Sequence, residues 1–315
     1  MSNSTDRSGR TVMDTAEFDR ELASRDLAGF WTARVPAHVA EKPFLWRWAS
    51  VRAALMRAKD SIGIDDAERR VIKPLNPGLP SKAASRTLQF NFSIVNPGES
   101  ARAHRHTISA IRFVVEGQGA YTTVDGARCA MVPGDLILTP AGSLHDHTND
   151  SSAPMIWLDG LDGPLVQALN AAFFEPGPQP MQAVQREAGE ALRYPWSKAR
   201  AQLDAIAPQE EDPFDGARVN YPALPTLACE ASRLAPGRTT RSHRHASVAL
   251  YHVISGRGRT QVGGECLEWQ TGDTFVVPLW QWHSHENPNA EEALLFSMND
   301  TPVMRALGLY REEAA

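Results

Sequence analysis

Gly98-Glu99-Ser100-Ala101-Arg102-Ala103-His104-Arg105-His106 decides the reading of this chain, because its spacing returns as Gly237-Arg238-Thr239-Thr240-Arg241-Ser242-His243-Arg244-His245. A second block follows each copy. After the first come Gly134, Pro140-Ala141-Gly142, His145 and Asn149; after the second come Gly272, Pro278, His283 and Asn287. The first histidines of the copies lie 139 residues apart and the third histidines 138. A period that long marks a duplicated domain, not a solenoid unit. On a strand His104 and His106 share parity and project to one face, while Arg105 points away. A returning strand carrying His145 supplies a third imidazole, presented by the Pro140-Ala141-Gly142 turn. Asn149 is expected to hydrogen-bond backbone in that same turn. Three imidazoles brought together are what a transition metal with open positions needs.

The chain's 315 residues leave room for two domains with full-sized cores. Its 42% hydrophobic and 22% charged residues are those of an ordinary globular protein, and a net charge of −5 gives no reason to expect nucleic acid or an anionic membrane as partner. No apolar run reaches the roughly 18 residues of a membrane span. MSNSTDRSGRTVMD lacks the apolar centre of a secretory signal. Cys129, Cys229 and Cys266 are widely spaced, without a C-x-x-C, which fits a reducing cytoplasm and small buried roles.

Texture divides the chain. Residues 1–13 are polar and read as disordered, and Asp14 to Ala28 reads as a helix capped at Asp14 or Thr15. Phe44 to Ala58 reads as a second helix, and Lys73 to Pro80 as a breaker-rich loop. From Arg86 to Trp157 short runs rich in Val and Ile, cut by Gly and Pro, predict the strands of a sandwich or barrel. Helical texture returns in Leu165–Phe174 and Gln182–Leu192, followed by Pro-rich linker, and residues 224–300 repeat the strand texture. The expected organisation is a helical arm (1–80), a first barrel with the metal site (81–160), a helical linker (161–222), and a second barrel with a short tail (223–315).

The two blocks, Gly-x5-His-x-His and Gly-x5-Pro-x-Gly-x2-His-x3-Asn, resemble the paired signature motifs of the cupin superfamily; in the second copy Trp280 stands where the first has Gly142. The resemblance implies a mainly β bicupin of two small jelly-roll barrels. Neighbouring residues narrow it. Arg112-Phe113-Val114-Val115-Glu116-Gly117, Met131-Val132-Pro133-Gly134-Asp135, His145-Asp146-His147, Trp157-Leu158-Asp159-Gly160-Leu161-Asp162 and Gly272-Asp273-Thr274-Phe275 resemble gentisate 1,2-dioxygenase and its salicylate, 1-hydroxy-2-naphthoate and 5-nitrosalicylate relatives. The likeness covers roughly residues 65 to 310.

Many cupins add a Glu ligand after His-x-His. Here Thr107-Ile108-Ser109-Ala110-Ile111 and Ala246-Ser247-Val248-Ala249-Leu250 contain no carboxylate, and Glu116, ten residues past His106, is not read as a ligand. The expected sphere is three neutral imidazoles on a dication, with up to three positions open.

The resemblance implies Fe(II) held by His104, His106 and His145, a salicylate-type aromatic acid chelating it through carboxylate and ortho-hydroxyl, and O2 as co-substrate. The bond between the carboxyl- and hydroxyl-bearing carbons opens, and both oxygen atoms enter the product. It implies substrate contacts for Arg112 and His147, catalytic roles for both, and a homo-oligomer, a tetramer in the relatives. Arg69 or Arg70 matches a stretch that in relatives can reach a neighbouring subunit's site; the sequence does not choose between them, nor between that role and a solvated helix end. Relatives show Trp, a small residue and Gln on the strand where this chain has Gln89, Asn91 and Ser93. Alternation puts all three on one face, so Gln89 and Asn91 are expected in the substrate pocket and the substrate set should differ from plain gentisate. The second triad, His243, His245 and His283, is read either as a metal site or as part of a structural barrel whose cavity the indoles of Trp280 and Trp282 fill. Rival readings of the whole are a bicupin decarboxylase or isomerase without O2 chemistry, and a non-catalytic ligand-binding bicupin.

Overall fold

The computed structural model describes residues 4–5, 11–12, 15–29, 41–64 and 69–315. The chain divides into two compact units, Met1–Val39 and Ala40–Ala315. In the first, Ser4–Thr5 pairs with Thr11–Val12; the other residues of the segment read as disordered lie outside the described residues. The helix there is Thr15–Ala23, shorter than expected, and Asp14 is not among the described residues. Asp26 takes a left-handed φ of 56° and the Leu27 N–H returns to the Leu22 carbonyl at 2.9 Å. That closure ends the helix before its apolar pattern runs out.

In the second unit each copy of the repeat builds a barrel of two facing sheets. The first barrel's larger sheet runs, in spatial order, Arg193–Tyr194, Leu136–Thr139, Ala110–Glu116, Met155–Leu161, Gln89–Val95, Arg70–Ile72. Its other sheet, also of six strands but with fewer residues, carries the histidine strands Ser100–His106 and His145–Asn149. The second barrel repeats the plan, with Ala217–Asn220, Ala228–Leu234, Ala293–Asn299, Ala249–Ser255, Thr274–Val277 and Phe44–Trp46 in its larger sheet.

The two larger sheets share one core. Phe90, Phe92, Phe113 and Leu158 of the first and Leu250, Val276, Phe296 and Met298 of the second belong to one buried cluster, with the Phe113 and Phe296 rings stacked at 4.5 Å. Buried on both faces, these strands read as nearly continuous apolar runs rather than an alternation. The opposite faces point into each barrel, where Val114 and Trp157 cluster with Met131 in the first and Val253 and Phe275 with Trp269 in the second.

Two crossed arms lock the barrels together, and here the sequence reading fails. Phe44–Ala58 is not one helix. Phe44–Trp46 is a strand on Thr274–Val276, and the helix is Trp48–Ser61. Asp273 fixes the switch, accepting from the Trp48 N–H at 2.8 Å and from Arg47 at 2.9 Å. The first barrel is clasped in the same way: Arg193–Tyr194 pairs with Leu136–Ile137, Asp135 accepts from Trp196 N–H (2.9 Å) and Arg193 (2.9 Å), and the helix Trp196–Ala205 follows, in a stretch read as linker. In each arm the strand therefore pairs with the barrel that does not immediately follow it, while the helix packs on the one that does: Trp48–Ser61 lies against Arg70–Ile72 and Gln89–Val95, and Trp196–Ala205 against Ala217–Asn220 and Ala228–Leu234. Gln182–Leu192 is not helical: residues 182–189 are extended and 190–192 turn, because the first barrel satisfies the backbone, with Gln185 N–H on the Gly126 carbonyl (2.9 Å) and Ala188 N–H on that of Arg128 (2.8 Å). In the other stretch read as helical, the helix spans Gly163–Ala168, and Phe174–Pro176 pairs with the histidine strand.

Cys129 and Cys229 are buried as expected, whereas Cys266 is exposed. Among the described residues no helix is long and apolar enough to cross a membrane.

Candidate metal centre

His104 and His106 occupy alternate positions of Ser100–His106, and antiparallel pairing sets His145 opposite His104. The three ring centroids stand 4.4, 4.8 and 5.5 Å apart, and one nitrogen from each ring lies within 4.8 Å of the others. Backbone carbonyls determine which nitrogen is free. Nδ1 of His104 lies 2.9 Å from the Arg102 carbonyl, that of His106 2.7 Å from Ile108, and that of His145 3.0 Å from Ser143. A carbonyl only accepts, so each Nδ1 carries the hydrogen and each Nε2 keeps its lone pair. Nε2 of His145 is buried without a partner, the orphan that a cation would satisfy. Burial, with the Arg69 and Arg112 guanidinium groups nearby, pushes His104 and His106 down to about 4, and burial with Arg112 holds His145 far below its ordinary range. The triad is uncharged at neutral pH, as a metal requires. No carboxylate joins the cluster among the described residues, and Glu116 is engaged instead by Arg52 at 2.9 and 3.1 Å.

Arg105 points outward toward Glu175 at 3.8 Å, in keeping with strand parity. Asn149 corrects an expectation. Its amide serves not the Pro140–Gly142 turn but the next one, donating to the Val95 and Ala153 carbonyls at 2.9 Å. It thereby ties the strand of His145 to the facing sheet, and Asn287 repeats the bonds in the second barrel.

The larger sheet presents Arg112, Asp159 and Asn91 in one row of directly opposed residues. Arg112 is 1% exposed; its Nε stands 3.3 Å from Asp159 and its Nη1 donates to Thr139. Burial pushes Arg112 down to about 10, so it keeps its charge at neutral pH. Ser93 donates to Asp159 at 2.6 Å, and Asn91 Oδ1 is buried without a partner. Gln89, two residues before Asn91 on the same face, is half-buried beside Gly163.

His147 is fully buried between two fixed partners. Nε2 lies 3.1 Å from Arg69 and Nδ1 2.8 Å from Thr122 Oγ1. A guanidinium only donates, so Nε2 accepts and Nδ1–H donates to the threonine. Arg69 and Arg70 separate cleanly: Arg69 meets His147 of its own chain, while Arg70 is held by Glu99 at 2.6 and 2.9 Å and by the Ile62 carbonyl. Glu68 lies outside the described residues.

Sequence reasoning missed Thr122, Thr139 and Asp159. One signal was available: Thr122 precedes His147 by 25 residues, and Thr260 precedes His285 by 25 and contacts it at 2.9 Å. The repeat offers no such signal for Asp159, because Ser297 occupies its place in the second sheet.

The cupin domain family matches the chain twice, over residues 91–160 and 232–299. A 5-aminosalicylate 1,2-dioxygenase of Comamonas sp is 41% identical over 96% of this chain and 90% of its own length. A 1-hydroxy-2-naphthoate 1,2-dioxygenase of Nocardioides sp. is 37% identical over 94% of this chain and 87% of its own length. The chain belongs to the gentisate and salicylate 1,2-dioxygenase family. The salicylate 1,2-dioxygenase of Pseudaminobacter salicylatoxidans superposes with a TM-score of 0.88 at 28% identity, covering 96% of this chain and 99% of that one. Members of this family are ring-cleaving dioxygenases built as bicupins, and the first barrel's triad fits the metal such an enzyme requires.

Proposed function

We propose that the first barrel holds Fe(II) through Nε2 of His104, His106 and His145 and opens the ring of a salicylate-type acid between its carboxyl- and hydroxyl-bearing carbons. The observation that carries this reading is a carbonyl-oriented, uncharged triad without a protein carboxylate, set beside the cations of Arg112 and Arg69. When bound, the iron supplies an anchor for the carboxylate and ortho-hydroxyl and the electron relay through which dioxygen reacts with the ring.

The chain's own residues do the rest. Arg112 keeps its charge and pairs with the substrate carboxylate, replacing water around that anion with a fixed donor. His147 is neutral, with Nδ1–H committed to Thr122; its Nε2 takes or yields a proton at the substrate oxygens as Arg69 withdraws or returns. Arg69 raises the positive field at the pocket, and Arg70 only anchors the loop of Glu99. Gln89 and Asn91 line the substrate pocket. The orphaned Asn91 acceptor favours a ring bearing a hydrogen-bond donor, such as a 5-amino group. The 5-aminosalicylate enzyme at 41% identity supports that preference. A tetramer belongs to the same proposal and is tested by sedimentation velocity.

Metal-free protein reconstituted anaerobically with Fe(II) and given oxygen with gentisate, salicylate, 5-substituted salicylates or 1-hydroxy-2-naphthoate is expected to consume oxygen with at least one of them. Iron-loaded protein that consumes none with any ortho-hydroxybenzoate refutes the proposal.

A further inference from the structure

The second barrel keeps the first barrel's histidines and reverses the charge around them. His243, His245 and His283 place their ring centroids 4.1, 5.0 and 5.6 Å apart, nearly the spacing of the first triad, and one nitrogen of each lies within 4.8 Å of the others. Two rings are oriented by carbonyls as in the first barrel: Nδ1 of His245 by Ser247 at 3.0 Å and Nδ1 of His283 by Gln281 at 2.9 Å. His283 is 1% exposed and its Nε2 has no partner.

The indoles do not fill this site. Trp280 keeps the turn of Gly142, donating from its N–H to the His245 carbonyl (2.9 Å) as Gly142 does to His106 (2.8 Å), at a φ of 63° that costs a bulky residue strain. Its ring lies under Arg244 and Arg311, and Arg244 also covers Trp282. Neither indole lines the cavity of about 500 Å³ into which His243 and His245 open.

That cavity is acidic. Asp212, Asp215, Glu230 and Glu312 line it against only Arg218 and Arg305. Arg218 is already engaged, at 3.2 Å from Asp212, 3.1 Å from Asp215 and 3.7 Å from Glu230. Strand register shows how the change was made. The row Arg112–Asp159–Asn91 of the first sheet becomes Tyr251–Ser297–Glu230 in the second. The cation that would receive an aromatic carboxylate is now a phenol, and the amide beyond it is a carboxylate.

We propose that the second barrel is a second metal site, binding a hydrated divalent transition-metal ion through His243, His245 and His283 and closed to aromatic acids. The lining carboxylates balance the ion's charge and accept hydrogen bonds from its water. They repel the anionic chelate that the first barrel admits. Duplication thus leaves two centres with the same nitrogen ligands and opposite selectivity.

Cobalt(II) is the probe, because its visible absorption reports its ligands and it can be counted. Metal-free full-length protein titrated anaerobically should bind two Co(II) per chain, and the His145→Ala and His283→Ala variants one each. Excess salicylate should shift the spectrum of the His283→Ala protein and leave that of the His145→Ala protein unchanged. One Co(II) per chain in the unsubstituted protein, with a spectrum that excess salicylate shifts, overturns the proposal without recourse to any variant. A salicylate-induced shift in the His145→Ala protein overturns the selectivity. The His283→Ala spectrum reads the first barrel alone, so failure of the ring-cleavage reading appears there and stays separate.

Discussion

Replacing Arg112 by methionine removes the cation assigned to the substrate carboxylate, and the structure shows why that variant alone is not a clean test. Arg112 is 1% exposed and stands 3.3 Å from Asp159, whose other buried contact is the Ser93 hydroxyl at 2.6 Å. Taking one partner from a buried pair costs about 3–5 kcal/mol of stability, because the remaining charge has nothing to offset its desolvation. The single variant should therefore unfold at clearly lower denaturant concentration. Adding Asp159→Asn removes the stranded charge, and the double variant should recover most of the stability, since neutral replacements of buried pairs are well tolerated. Its catalytic defect should remain. A desolvated guanidinium–carboxylate contact is worth about 2–3 kcal/mol, or roughly 30- to 150-fold in kcat/KM. The assay is oxygen uptake on the best salicylate, with urea unfolding alongside. A double variant that folds and keeps kcat/KM within threefold of the parent refutes the carboxylate role of Arg112.

Three further outcomes follow from particular contacts. Asn91→Leu removes the orphaned acceptor and should lower kcat/KM for 5-aminosalicylate relative to salicylate by about tenfold, a ratio immune to losses of folded protein; an unchanged ratio contradicts the assignment. Burial holds the Glu41 carboxyl up to about 7 from 4.5, so ionising it opposes folding: the cost grows as pH rises from 4.5 to 7 and is complete above. Glu41→Gln keeps an acceptor for the Arg86 N–H and should add about 3 kcal/mol at pH 8 but nothing at pH 4.5 in urea unfolding; equal stability at pH 8 contradicts this. Gly134→Ala sets a Cβ 2.6 Å from the Trp196 ring at a φ of 87°, whereas Gly98→Ala at 75° meets nothing within 4 Å. Both pay the left-handed strain, about 1 kcal/mol, and only the first should lose a further 1–3 kcal/mol in denaturant unfolding, from dislodging the arm.

What the sequence made legible was local or repeated. His104 and His106 share a strand, and the Gly134 to Asn149 block fixes the turn that presents His145, so short-range spacing suffices to assemble the triad. The common face of Gln89, Asn91 and Ser93 followed from alternation in the same way. Long-range pairings were not legible. Phe44–Trp46 is a strand only because Thr274–Val276 receives it more than two hundred residues later, and its aromatic, Ala-rich surroundings otherwise suggest helix. Gln182–Leu192 lost its helix to the edge of the barrel, whose carbonyls outbid its own. Arg69 and Arg70 are neighbours with identical chemistry. Only the position of Glu99 separates the structural guanidinium from the one that meets His147.

The most direct test of the metal-centre reading is anomalous diffraction at the iron edge from crystals loaded anaerobically with Fe(II). An iron peak bonded at roughly 2.0–2.3 Å to Nε2 of His104, His106 and His145, with only water beyond, is the expected result. An active crystal with no iron between those rings, or with a protein carboxylate among the ligands, contradicts it.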